Sequence, residues 1–333
     1  MVEQMPLTRG SKYQYEYILD FQSNDRFLYR VSDLEATGEF GEELRQRLDK
    51  CQIYVLARRP RLTIVPGSIE STSAVVRLKV QYHLAGLLHQ VGLDIPRHLF
   101  KSEEVTFEAS EYPHRSLISR NDQGKAIVES VLGTFVEFMP GVHQQAKDLE
   151  VLYIGKGVHK NAQDRLRSHS TLQRILAELM TNQPDNELSV LVYAFEYHKR
   201  GLRFAAGFSH EITGDVAKRR SKKAMAYRPS LGEQISLIEA SCISYFQPPY
   251  NTHYLNFPSR EYKLLAPVYK ADFAAVAVQL DNTNIGGQQL YSSIIKPDST
   301  HYIVVDFRRL EGKPSIFDGV RQIQRFVGSK ILT

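Results

Sequence analysis

Glu150-Val151-Leu152-Tyr153-Ile154-Gly155-Lys156-Gly157 holds a short apolar run, Val151 to Ile154, that ends in two glycines set one residue apart. A run of this length, bounded by glycines, is a strand buried on both faces. Glycine at its end lets main chain pass close to a neighbour or a ligand. The segments that follow alternate in period. NAQDRLRSHSTLQRILAELM (161–180) is helical, ELSVLVYAFEYH (187–198) is a second strand, and PSLGEQISLIEASCISYFQPPYN (229–251) is a second helix.

That last helix has both ends written in it. Ser230 followed three residues later by Glu233 is a capping box. Leu231, Ile235, Ile238, Cys242, Tyr245 and Phe246 form an apolar stripe at helical spacing. Pro248-Pro249 stops the helix, because proline lacks the donor that a further turn needs.

Upstream, AIVESVLGTFVEFMP (126–140) reads as a helix followed by a strand, and 140–150 as a polar connection. YPHRSLISRNDQGK (112–125) is polar and turn-rich, which sets a domain boundary. The N-terminal third carries short β-like runs (YEYILDF, RFLYRV, CQIYVLA, LTIVP), a helix near 40–50, and a segment 73–93 that reads as a strand or helix leading into a buried helix. The C-terminal part is β-rich (FAAVAVQLD, QQLYSSIIK, HYIVVDF) with a closing helix near 317–327. The expectation is a mixed α/β chain of the α+β kind in three parts. Residues 1–125 form a recognition or partner-binding domain, 126–255 a small domain with a central antiparallel sheet flanked by helices, and 256–333 a β-rich segment.

The chain has 333 residues, 24% of them charged and 42% hydrophobic, which excludes disorder. A formal charge of +5 is mildly basic and suits an anionic partner. Two cysteines, Cys51 and Cys242, exclude a disulfide scaffold and a zinc site built on paired cysteines. The N-terminus lacks an apolar signal core, and no stretch of about 18 apolar residues is present. The expected setting is therefore cytoplasmic, without a membrane. Gly155-Lys156-Gly157 does not have the spacing of a phosphate-binding P-loop.

Residues 130–255 resemble the catalytic domain of the GIY-YIG nuclease family. The resemblance rests on Tyr153-Ile154-Gly155, on Lys156 after it, on Arg165-Leu166-x-x-His169, and on Glu239 followed by Pro248-x-x-Asn251. It implies a nuclease domain that hydrolyses phosphodiester bonds in DNA, with Mg²⁺ or Mn²⁺ as cofactor, in restriction, anti-phage defence, repair or mobile elements. Restriction or defence is favoured.

The residue types suit that chemistry. Arg165 is a permanent cation whose planar fork matches phosphate oxygens. His169 is four residues on, so both share one helical face. Glu239 is a hard oxygen ligand, and one carboxylate with phosphate and waters is a common way to hold Mg²⁺. The Tyr153 hydroxyl is placed to meet the phosphate or the attacking water, and Asn251 to hold the neighbouring loop by its amide.

The family's first motif carries a tyrosine, often cast as general base, about ten or more residues before YIG. Two alignments are open here. One puts His143 in its place, the other Phe135, and His143 or His169 then serves as base. A second departure is the stretch 198–230, whose nine basic residues face two acidic ones, a net of +7. Lys199, Arg200, Arg203, Lys218, Arg219, Arg220, Lys222 and Lys223 are expected to form a basic loop that binds nucleic-acid backbone. The rival readings are a scaffolding or nucleic-acid-binding subunit that keeps the fold without the chemistry, and an RNA-cleaving effector. A double-strand cut would bring in a second copy or a partner protein.

Overall fold

The structure is a computed structural model, and it describes residues 15–31, 41–100, 105–133, 139–157, 162–167, 169–203, 214–259, 261–285 and 288–307. Its elements run β1 (Tyr15–Arg30), α1 (Glu42–Asp49), β2 (Ile53–Pro60), β3 (Thr63–Ile64), β4 (Glu70–Ser71), β5 (Val75–Leu84), β6 (Leu87–Pro96), β7 (Thr106–Ala109), β8 (Ser116–Arg120), β9 (Ala126–Val131), α2 (Gln144–Lys147), β10 (Leu149–Lys156), α3 (Ala162–Arg167) and α4 (Ser170–Asn182). They continue with β11 (Asn186–Arg203), α5 (Gly214–Ala226), α6 (Leu231–Phe246), α7 (Ala266–Lys270), β12 (Ala275–Asp281), β13 (Leu290–Tyr291) and β14 (Thr300–Asp306). The α+β class expected from the pattern is what the chain adopts.

One seven-stranded sheet organises the molecule, in the order β13-β10-β2-β11-β1-β12-β14. Its pairs are antiparallel except β10 with β13 and β1 with β12. The interior strand β2 is IYVLARRP, whose first five residues are buried, as befits a strand covered on both faces. Ile53, Val55 and Ala57 pack into one core with Ile235, Ile238, Cys242 and Phe246 of α6. Tyr54 and Leu56 point the other way, into a second core with Leu48, Leu166, Leu172 and Ile175 from α1, α3 and α4. The helix α6 begins with the capping box read from Ser230 and Glu233.

The segment 61–148 leaves this sheet after β2 and returns at β10. It forms two small sheets, β3-β5-β4 with β6 on β5, and β7-β8-β9, around a core of its own that includes Val76, Leu78, Val80, Leu93 and Ile95. Residues 73–93 are therefore the hairpin β5–β6, not a strand or helix leading to a buried helix. Alternate burial along β5 is the signature of a half-buried strand, and Ala85 and Gly86, both at positive φ, make its turn. Likewise 126–131 is strand β9 rather than a helix, and 140–150 contains the short helix α2. The helix expected over 161–180 is two, α3 and α4, on either side of His169.

The boundaries placed near 125 and 255 do not divide the sheet. Strands β1 and β2, strands β10 and β11, and strands β12 to β14 come from all three sequence segments and share one ladder. The interruption is instead the lobe 61–148. It is tied down by Glu187, which takes Arg59 and Arg115 at 2.8 Å each. The closing helix near 317–327 lies outside the described residues.

Candidate functional site

Tyr153 is brought into place by a β-bulge. The register between β10 and β2 slips between Val151 and Tyr153, so one extra residue re-aims the strand. Val151 and Ile154 enter the core under α6, while Leu152 and Tyr153 both face α3 and α4. Tyr153 thereby joins Tyr54, their ring centroids 6.1 Å apart. Gly155 pairs with Tyr54 across the ladder. The Asn251 amide clamps the strand from behind, its Oδ1 accepting from Ile154 N at 2.9 Å and its Nδ2 donating to Ile154 O at 2.8 Å. This is the holding role read for Asn251, applied to β10 itself.

His169 sits at the N-cap of α4, its Nε2 3.4 Å from the Tyr153 hydroxyl. Its ring lies 5.3 Å from that of Tyr153 and 6.2 Å from that of Tyr54. Burial, and then the Arg165 guanidinium, lower its pKa below the usual histidine value; the positive end of α4 acts in the same direction. Both effects favour the neutral imidazole, and its buried Nδ1 has no hydrogen-bond partner among the described residues. Arg165 is exposed on α3.

Lys156 and Glu239 complete the group. Ser236 and Glu239 share a face of α6, three residues apart. Lys156 Nζ meets Glu239 Oε2 at 2.8 Å and Ser236 Oγ at 2.9 Å. Burial raises the Glu239 pKa, with Lys156 and then His253 opposing it. Burial also raises Tyr153; the Glu239 charge adds to that rise and Arg165 counters it. Tyr54 is raised by burial first, and it too feels Tyr153, Arg165 and Glu239. Arg165 from one face and Glu239 from the other therefore act on the same pair of phenols at the end of β10.

Among the described residues, no three His, Cys, Asp or Glu side chains cluster as a ready-made metal cage. A single-carboxylate Mg²⁺ site needs no such cage. Glu239 is a hard oxygen donor of the kind such a site uses, and its Oε2 is held by Lys156 Nζ at 2.8 Å.

Other expected residues go elsewhere. His143 precedes α2, its Nδ1 2.6 Å from the Tyr82 hydroxyl and its ring 4.7 Å from that of His89. It belongs to the inserted lobe, at the far end of β10 from Gly155, and is not part of the cluster. Phe135 lies outside the described residues. Within the basic stretch, Gly214–Ala226 is helix α5 and not a loop, with Lys218, Arg219, Lys222 and Lys223 exposed on it. Arg220 of the same helix is buried and paired with Glu16 and Asp272, each at 2.5 Å, so it is a structural ion and not a nucleic-acid ligand. Arg200 pairs with Asp20, and Lys199 Nζ donates to Met225 O at 2.8 Å. The Arg203 side chain lies outside the described residues.

Tyr54 is the residue that sequence reasoning missed. It lies 99 positions before Tyr153, far beyond a search of about ten residues upstream. The available signal was Ile53-Tyr54 opening a wholly apolar strand, CQIYVLA. Scans against protein-family models, curated proteins and solved structures find no match to this chain. Among the described residues, no helix is long and apolar enough to cross a membrane.

Proposed function

We propose that the chain is a Mg²⁺-dependent endonuclease, similar to the GIY-YIG nucleases, that hydrolyses phosphodiester bonds in DNA. Resemblance alone favours a role in restriction or anti-phage defence. The observation that carries the proposal is the convergence of Tyr54, Tyr153, Arg165, His169, Lys156 and Glu239 at one strand end. They come from β2, β10, α3, the N-cap of α4 and α6. The scaffolding alternative rests on the lack of a first-motif tyrosine; Tyr54, whose ring lies 6.1 Å from that of Tyr153, supports the catalytic reading.

In this reading, Arg165 holds the scissile phosphate by its planar fork. The Tyr153 hydroxyl orients the attacking water, and neutral His169 Nε2 takes the proton that passes through that hydroxyl. Tyr54, raised by burial, stays protonated and donates a hydrogen bond. Glu239 would hold Mg²⁺, which stabilises charge on the leaving oxygen. Lys156 keeps the Glu239 carboxylate ionised and oriented, and Asn251 fixes the strand that aims Tyr153. The exposed face of α5 follows the backbone.

The test is nicking of supercoiled plasmid by wild type, Glu239→Ala, and wild type with EDTA, beside labelled RNA of matched length. The expected outcome is Mg²⁺-dependent nicking abolished in both controls. Equal nicking by Glu239→Ala would remove that residue from the mechanism. Binding of plasmid without cleavage would favour the scaffolding reading, and cleavage of RNA alone would change the substrate.

A further inference from the structure

A cavity of about 210 Å³ lies at the opposite end of β2 from the tyrosines. Seven residues separate Tyr54 from Arg61, roughly 23 Å along an extended strand. Arg61 and Arg115 line the cavity with Arg30, and Leu176, Leu179 and Leu188 form an apolar wall. The cavity is smaller than the roughly 300–1,000 Å³ of pockets for drug-sized ligands, so its occupant is small.

Among the described residues that line it, three arginines, Arg30, Arg61 and Arg115, stand against one carboxylate, Glu187. Glu187 is taken by Arg59 and Arg115. Arg61 donates only to the main-chain oxygen of Asn186, at 3.1 Å, and Asp185 beside it is turned to His83 at 3.2 Å. The Nε atoms of Arg61 and Arg115 are both buried without a hydrogen-bond partner. Buried donors are satisfied in the great majority of cases, and an exception calls for a water, an ion or a ligand to meet it. A surplus of partly buried cations is destabilising until an anion offsets it.

We propose that this cavity binds the phosphoryl group of a small phosphorylated molecule. Arg61 and Arg115 hold the phosphoryl oxygens, since converging guanidiniums match several oxygens at once. The apolar body of the ligand rests on Leu176, Leu179 and Leu188. The site is separate from the candidate nuclease centre and does not depend on that reading.

The shared chemistry has a second source, the phosphate backbone of a nucleic acid, and the experiment separates the two. Phenyl phosphate, inorganic phosphate and a short DNA duplex are titrated calorimetrically into the full chain at fixed ionic strength. Variants are Arg61→Gln, the cavity-filling Leu176→Phe, and Lys125→Gln on a distant exposed turn. The expected result is one saturable site for phenyl phosphate, tighter than for inorganic phosphate. Arg61→Gln and Leu176→Phe should each weaken it at least tenfold, and Lys125→Gln should leave it unchanged. No saturable binding, or equal affinity in wild type and both cavity variants, overturns the proposal. So does a loss of duplex binding in Arg61→Gln when phenyl phosphate does not bind wild type. Should Arg61→Gln not fold, Leu176→Phe alone decides.

Discussion

The ring of Tyr54 lies across Gly155 on the neighbouring strand. A β-carbon at position 155 would press on its Cζ and hydroxyl oxygen, and would stand only 2.8 Å from Cε2. Glycine is present there because it alone leaves room for the phenol to reach Tyr153. Gly155→Ala should therefore displace Tyr54 and destabilise the fold by about 1–3 kcal/mol, as overpacking does. Urea unfolding and plasmid nicking read both effects; an alanine variant with wild-type stability and activity would show that the tyrosine is not so constrained.

Removing single hydroxyls should be felt without loss of fold. Tyr153→Phe is expected to slow cleavage by roughly 10²–10⁴-fold, the range for removing a proton-transfer group, while circular dichroism stays unchanged. If Tyr153→Phe cleaves like wild type, the water is oriented by another group.

The pH profile tests His169. Its pKa lies below the ordinary histidine value, through burial first and Arg165 second. In the proposed mechanism the neutral form is the base, so activity should stay level down through about pH 6.5, the unperturbed value, and fall only at lower pH. The same shift affects folding: the folded state binds the proton less readily than the unfolded chain. Stability from this group is full above the unfolded value and is lost as pH falls through the folded one. A rate that already declines between about pH 8 and 7 would exclude His169 as base.

The basic helix α5 should separate into two functions. Replacing Lys218, Arg219, Lys222 and Lys223 by glutamine should flatten the salt dependence of DNA binding, by up to about 0.9 in slope for each phosphate no longer neutralised. Arg220→Ala should leave that slope alone and instead cost about 3–5 kcal/mol of stability, because it breaks the buried ion pair with Glu16. An unchanged slope in the fourfold variant would detach α5 from the substrate.

Glu187 supplies an acid-sensitive anchor for the inserted lobe. Burial pushes its carboxyl up, but Arg59 and Arg115 together outweigh burial and hold it below the usual range. A depressed carboxylate adds stability that is present above its unfolded value, about 4.3, and is lost as pH falls through the folded one. Glu187→Gln should be less stable than wild type by about 3–5 kcal/mol at pH 7, and the gap should narrow below about pH 4. A gap that does not depend on pH would mean that packing, not charge, makes the anchor.

Sequence reading reaches α6 in full, because the cap at Ser230, the apolar stripe and the proline stop are all local signals. It reaches Tyr153, Arg165, His169, Glu239 and Asn251 because a short motif order survives when residues are far apart along the chain. It does not reach Tyr54, whose partnership with Tyr153 is formed between strands separated by a whole lobe. Nor can it foresee that Arg220 is buried among four exposed basic neighbours, since the partners Glu16 and Asp272 lie on β1 and after α7. The hairpin at 73–93 escapes it because the apolar residues there fit strand and helix periods equally well over so short a run.

The 88 residues that separate β2 from β10 also bear on how such a chain could arise. Closing a loop about nine times longer than a ten-residue connection adds only about 2 kcal/mol of entropy loss. The lobe brings its own apolar nucleus to offset that penalty. Evolution could thus splice a self-supporting lobe between two adjacent strands of an ancestral sheet without disturbing their hydrogen-bonded register, and later exchange it for another.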